Sequence, residues 1–298
     1  MQKLFLTFLA LSVLIMIGCP NAGTNITNSI NTNANLSNLV TTNSNFNANI
    51  ANLSSNTTIS ETKEPEQYQA IVQLKLEATG DKNVTALPTI SANVARNASE
   101  RRMEFNMPNG DKLVYLEKAG TTYMILPNRK QYAVLDKESL GFEVRQLMMP
   151  EQIINQIKSV KGVERVGEEN VNGRNVIKYR SGTVSNTQSQ AGKVETESFF
   201  LIDKETGLPI HSEIVSQSQN SGLQGIKGLR IVTEMSDIKT VTTPELFAVP
   251  ADFTKIDSAQ IKTQADLIFN TMATLLTQVL KGTEANTNSN TNSATPAK

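Results

Sequence analysis

From Tyr68 to Thr79 apolar and polar residues alternate, with Val72, Leu74, Leu76 and Ala78 on one side and Gln73, Lys75, Glu77 and Thr79 on the other. Neighbouring side chains of an extended strand point to opposite faces, so this period of two specifies a strand with one buried face. The pattern returns in short runs bounded by turn residues. Arg101 to Met107 presents Met103, Phe105 and Met107, and Pro108-Asn109-Gly110-Asp111 then reverses the chain, because Asn-Gly tolerates positive φ. Strands are predicted over 113–117, 122–126 and 131–135, joined at Ala119-Gly120 and at Pro127-Asn128-Arg129-Lys130. After a break the strands resume over 163–168, 176–182, 195–202, 208–216 and 229–240. Val171-Asn172-Gly173-Arg174 is the sharpest turn signal, and the polar stretches 183–193 and 217–228 read as long loops. Such a chain must build a large antiparallel sheet.

The break holds two short helices. Residues 138–149 read as the first. The second starts at Pro150, a favoured first helical residue, and places Ile153, Ile154, Ile157 and Val160 on one face over 150–160. Pro244-Glu245-Leu246-Phe247 reads as one helical turn. Ser258 is placed to cap a last helix over 258–281, whose apolar positions include Ile261, Ile268, Phe269, Leu276 and Val279. That stripe either packs on the sheet or serves as a lid or partner helix.

The N-terminus is of another kind. Lys3 precedes a 14-residue apolar run, Leu4 to Ile17. About 20 residues are needed to cross the hydrocarbon core as a helix, so this is a secretory leader rather than a span. Met16-Ile17-Gly18-Cys19 then resembles the lipobox of bacterial lipoproteins, in which the cysteine is acylated and becomes the new N-terminus. Cys19 is the sole cysteine, so it has no disulfide partner. Residues 20–60 hold 13 Asn and 13 Ser or Thr, and no charge lies between Lys3 and Glu61. Such a segment cannot bury enough apolar surface to offset the entropy of ordering. The organisation expected is a leader (1–18), a lipidated Cys19 with a disordered tether (19–65), a folded domain (66–257), a C-terminal amphipathic helix (258–282) and a disordered tail (283–298).

Lys+Arg and Asp+Glu both number 28, so the formal net charge is zero, with no basic stripe for nucleic acid. Tryptophan is absent and only 5% of residues are aromatic, so the core must be aliphatic with methionine. Chemistry is equally sparse. The one histidine, His211, reads as a surface strand residue, and the adjacent Ser212 points to the other face. No His/Cys cluster, calcium loop or glycine-rich phosphate cradle is present. The doublets Arg101-Arg102 and Glu168-Glu169 read as solvated. No catalytic residue, metal or cofactor is expected.

A sheet of this size has an apolar face to cover, so it must curl around helices. The order of elements, with certain phrases, resembles the periplasmic lipoprotein-carrier fold of LolA, LolB and the N-terminal part of RseB, and related DUF4412-type proteins. Those phrases are Phe105-Asn106-Met107-Pro108-Asn109-Gly110, Tyr123 to Tyr132, Gly167 to Arg174, Ile202 to Ile210, and Met235-Ser236-Asp237-Ile238-Lys239 leading to Leu246-Phe247-Ala248-Val249-Pro250. The resemblance covers about residues 68–256. It implies an α+β fold, an incomplete β-barrel of curved antiparallel sheet covered by a few helices, with the C-terminal helix as an addition. It also implies an apolar cavity for acyl chains. Met103, Phe105, Met124, Ile153, Ile154 and Ile157 are the candidate lining residues, an ordinary core being the plain alternative for each. The function expected is that of an envelope lipoprotein, held to a bacterial membrane through its N-terminal lipid, that binds a lipidic ligand or another lipoprotein's acyl chains. The alternative is a structural or sensing envelope module that recognises protein.

Overall fold

The computed structural model describes residues 59–79, 84–86, 89–106, 110–135, 148–160, 162–186, 192–218 and 227–263. Among these residues thirteen strands form one sheet. In chain order they are β1 (Gln67–Thr79), β2 (Val84–Ala86), β3 (Ile90–Asn97), β4 (Glu100–Asn106), β5 (Lys112–Lys118), β6 (Thr121–Leu126) and β7 (Gln131–Val134). After the helix α1 (Pro150–Ser159) come β8 (Val163–Val171), β9 (Arg174–Asn186), β10 (Lys193–Asp203), β11 (Pro209–Ser218), β12 (Gly228–Lys239) and β13 (Thr254–Lys255). Their order across the sheet is β13-β7-β6-β5-β4-β3-β1-β12-β11-β10-β9-β8, with β2 paired to the far end of β1. All neighbours are antiparallel except β13 and β7. Among the described residues the end strands β13 and β8 are not partners, so the curved sheet they form is open, in the manner of an incomplete barrel.

Two meanders make this sheet, β3–β7 and β8–β12, and β1 joins them. Its register Val72↔Met235 and Leu74↔Thr233 ties it to β12, and Val72↔Ala92 ties it to β3. The turns are those the sequence specifies. Asn172 and Gly173 adopt φ of 51° and 82°, the doubly positive pair that a two-residue hairpin needs. Pro127–Arg129 forms a 3-10 turn closed by Lys130 in the left-handed region.

Four expectations need correction. Strands β2 and β3 were not foreseen. β3 alternates Ile90, Ala92 and Val94 against Ser91, Asn93 and Ala95, but its small alanines carry little apolar signal. Residues 183–186 and 193, expected in a loop, are strand, because β9 and β10 continue pairing to Asn186↔Lys193. The last helix does start at residue 258, but Asp257, not Ser258, caps it: its carboxylate accepts from Ala259 N–H at 2.8 Å. Helical cover is smaller than expected, since among the described residues only α1 and residues 258–263 are α-helical beyond a turn's length. The helix expected over 138–149 lies, except for its last two residues, outside the described residues, as does the rest of 258–281.

One face of β1, β3–β7 and β12 forms the main core. Val72, Met103, Phe105, Leu113, Tyr115, Met124 and Ile231 meet there, joined by Ile154 of α1 and by Ile261. This is the inner face. A second cluster joins Ile153 and Ile157 of α1 to Ile177, Tyr179, Phe200 and Ile202. The outer face of β3–β7 is covered too. Phe247 and Ala95, Val114, Leu116 and Ile125 pack together, flanked by Leu246, Val249 and Phe253. Lys118 Nζ donates to Phe247 O at 2.9 Å and Arg102 to Leu246 O at 3.3 Å, which pins the 3-10 turn Pro244–Phe247 to the sheet.

Candidate functional site: the inner face of the sheet

The six candidate lining residues all fall on this interior, and all are 3% exposed or less. The structure divides them. Met103, Phe105, Met124 and Ile154 share the main cluster, whereas Ile153 and Ile157 belong to the second. Helical geometry causes the split, because residues 153 and 157 are one turn apart and 154 is displaced about 100° round the axis. Helix α1 therefore bridges the two meanders. Pro150 opens it, Glu151 lies in its first turn and Lys158 in its last, both favourable to the helix dipole. Met148 and Met149, just before it, are buried in the main cluster.

At one end the inner face carries charge. Arg101 Nη2 donates to Glu64 Oε2 at 2.7 Å, and its Nε lies 3.2 Å from Glu151 Oε2. Arg96 lies 3.3 Å from Glu64, and Tyr68 Oη donates to Glu64 Oε1 at 2.9 Å. Burial works against the charge on Arg101, but the bonds and charge of Glu64 outweigh it and raise the pKa. Burial, then Glu64, pushes the Tyr68 hydroxyl far above its usual value. Arg101 is thus turned inward and paired, against the expectation that the doublet is solvated. Arg102 points outward to Glu104. Composition could not show this, because the partner Glu64 lies 37 residues away in the chain.

The chain before β1 joins the same surface. Ile59 is 1% exposed within the second cluster, and Thr62 is buried. Lys63 N donates to Gly207 O at 2.9 Å. Gly207 has φ +76°, and a Cβ there would lie 2.5 Å from Lys63 Cγ and 3.0 Å from Glu61 O. Packing therefore already includes Ile59, earlier than the composition boundary at residue 66.

His211 is also paired rather than free on the surface. On the outer face its Nε2 lies 3.4 Å from Glu213 and its Nδ1 3.9 Å from Glu234. Ser212 points inward, as strand geometry requires. Among the described residues no group of three or more His, Cys, Asp or Glu could hold a metal ion, and no helix is long and apolar enough to cross a membrane. Two grooves are described, one of mixed lining and one mainly polar. One, of about 600 Å³, lies on the outer face beside Gln69, Asn93, Arg102 and Leu246. The other, of about 580 Å³, lies at the turns around Arg174, Asp203 and Lys204. Cys19 lies outside the described residues.

No family model matches the chain, and no curated protein matches it. Among solved structures it is similar to LprF from Mycobacterium bovis, with a TM-score of 0.34 and 10% identity over 63% of this chain and 90% of that one. It is similar to the lipoprotein LppX of Mycobacterium tuberculosis, with a TM-score of 0.31 and 13% identity over 59% and 88%. A LolA superfamily protein from Nitrosomonas europaea gives a TM-score of 0.30 and 10% identity over 63% and 92%. The fold described above stands on the strand pairing and packing within this chain.

Proposed function

We propose that this chain is an envelope lipoprotein, tethered to a bacterial membrane through an acylated Cys19, whose inner sheet face takes up a long apolar chain such as a lipid's acyl group. The observation that carries the reading is the make-up of that face. Across the middle of β1 and β3–β7 it is aliphatic, aromatic and methionine, with its charged residues gathered at one end and tied to one another. An acyl chain entering this face takes over contacts that its side chains now make with one another, and methionine adapts to guests of varied shape. Met103, Phe105, Met124 and Ile154 line one side of the proposed site, and Ile153 and Ile157 carry it toward β9 and β10. The expected tether lies, up to residue 58, outside the described residues, and in this reading it links the domain to the membrane.

Two experiments test this. Cells are fed a clickable palmitate analogue: wild type should be labelled and Cys19→Ala should not. Equal labelling of both would place acylation elsewhere or nowhere. For the ligand, a fluorescent long-chain fatty acid is titrated into the purified full chain. Saturable binding is expected, and its absence would leave the inner face an ordinary filled core.

A further inference from the structure

On β9–β12 the inner face changes character. Register places Thr183, Thr196 and Ser216 side by side in one row, and Ser181 and Ser198 in the next, followed by Ile214 and Ile231. The third row runs Tyr179, Phe200, Ser212, Thr233. Seven serine and threonine hydroxyls thus share one face of four neighbouring strands, within a patch about 15 Å across by about 13 Å along the strands. They lie between two apolar regions. Tyr179 and Phe200, under α1, bound them on one side, and Ile231 and Leu229, continuous with the main core, on the other. Valine or isoleucine would fill such positions at no polar cost, since a buried hydroxyl without a hydrogen bond is unfavourable. Thr196 and Ser216 satisfy each other at 2.9 Å. Ser198 and Ser212 are 3% and 8% exposed, and Ser181 and Thr233 have partners of their own.

We infer that this stripe receives the uncharged polar part of the lipid, the ester-linked glycerol region of a neutral diglyceride, while the acyl chains lie on the adjoining apolar face. This rests on the reading proposed above and specifies its ligand. Serine and threonine donate to ester carbonyl oxygens and accept from a free glycerol hydroxyl. Charge placement selects against an anionic headgroup. The cations of these strands alternate to the outer face, where Arg180 meets Glu197, Arg230 meets Glu213 and Glu77, and Lys178 meets Glu169. The inward-facing Arg96 and Arg101 stand on β3 and β4 and are held by Glu64. Among the described residues the one cation that register places beside the stripe is Arg165 of β8, opposite Tyr179, and it is half-exposed and held by Glu168. A phosphate buried deeper in the stripe would be desolvated without a partner, which is costly.

The test uses the full chain in mild detergent with three probes: diphenylhexatriene, dioctanoylglycerol and dioctanoylphosphatidylglycerol. Wild type should bind the first two and prefer the diglyceride to the phosphatidylglycerol. The variant Thr196→Val/Ser198→Ala/Ser212→Ala should weaken diglyceride binding about tenfold, the effect of losing one or two net hydrogen bonds, with diphenylhexatriene unchanged. If the triple variant does not fold, Ser212→Ala alone should give about a threefold loss, and Thr196→Ser should give none. Unchanged diglyceride binding by a folded variant overturns the inference, as does equal or tighter binding of the phosphatidylglycerol. Binding of diphenylhexatriene without diglyceride overturns the stripe and leaves the apolar site standing. No probe bound by wild type overturns both.

Discussion

Strands β3–β7 are covered on both faces, whereas β9–β12 have hydroxyls on one face and a lattice of paired charges on the other. In β5 four consecutive residues, Leu113 to Leu116, are buried, two against the inner core and two beneath Phe247. In β10 burial is just as continuous, but its outward Glu197 is covered by Arg180, whose guanidinium also sits 5.7 Å from the centre of the Phe199 ring. The same strand geometry thus reaches dryness by two routes. A layer of apolar side chains yields stability that varies little with pH. Charge pairing yields stability that depends on protonation and on both partners being present. In the function proposed above, the apolar half would meet hydrocarbon and the polar half would discriminate between headgroups.

The contrast predicts where substitutions hurt most. Phe105→Ala, in the doubly covered half, should cost about 3–5 kcal/mol in denaturant unfolding. Ser198→Ala, at the matching depth in β10, should cost far less, and equal losses would erase the distinction between the halves. Gly207→Ala comes next, at about 2–3 kcal/mol, because it meets both a left-handed φ and the chain at 61–63. Gly173→Ala, with φ +82° but nothing within 4 Å, should cost about 1 kcal/mol. A similar cost at both sites would mean that the segment before β1 does not hold to the turn.

The charge lattice should show its signature in pH. Burial raises the Glu213 carboxyl, but hydrogen bonds from His211 and Arg230 and their charges outweigh it and hold its pKa below the ordinary value. A carboxyl depressed in the folded state contributes stability above its unfolded pKa and loses it as pH falls through the folded one. Glu213→Gln should therefore destabilise by about 1–2 kcal/mol at neutral pH, with the gap to wild type closing below about pH 4. Glu197 has the opposite sign, since burial outweighs Arg180 and raises its pKa. Its contribution is present at low pH and lost as pH rises through the raised value, so Glu197→Gln should cost less than Glu213→Gln at neutral pH. Parallel pH profiles for the two variants would contradict this assignment. The smallest effect is expected at Lys75→Ala, whose pair with Glu234 is about 40% exposed on both sides, at no more than about 0.5 kcal/mol.

Much of this architecture is legible in the sequence because it is local. The period of two locates β1, β4 and β5, Asn172-Gly173 fixes one hairpin, and Pro150 with three isoleucines marks α1. The rest is not local. The β1–β12 pairing joins residues about 160 apart, and nothing in either strand's alternation names its partner. The inward Arg101 looks like any surface arginine until Glu64 is brought beside it. The burial of Met103, Phe105, Met124 and Ile154 is legible because they are large, apolar and in phase. The hydroxyl stripe was missed because serine and threonine on a strand read as its solvent side, and only the register of four strands shows them sharing a face with Phe200 and Ile231. The part-parallel edge, β13 on β7, rests on two residues and has no sequence signal.

The central claim, that the inner face holds a lipid chain, is tested most directly by native mass spectrometry of the full chain extracted gently from its own membranes. The account predicts a population carrying a non-covalent mass in the range of a neutral diglyceride, removed by collisional activation while the covalent lipid on Cys19 stays. A chain that appears only at its acylated mass, and that acquires no such adduct when excess diglyceride is added, would contradict it.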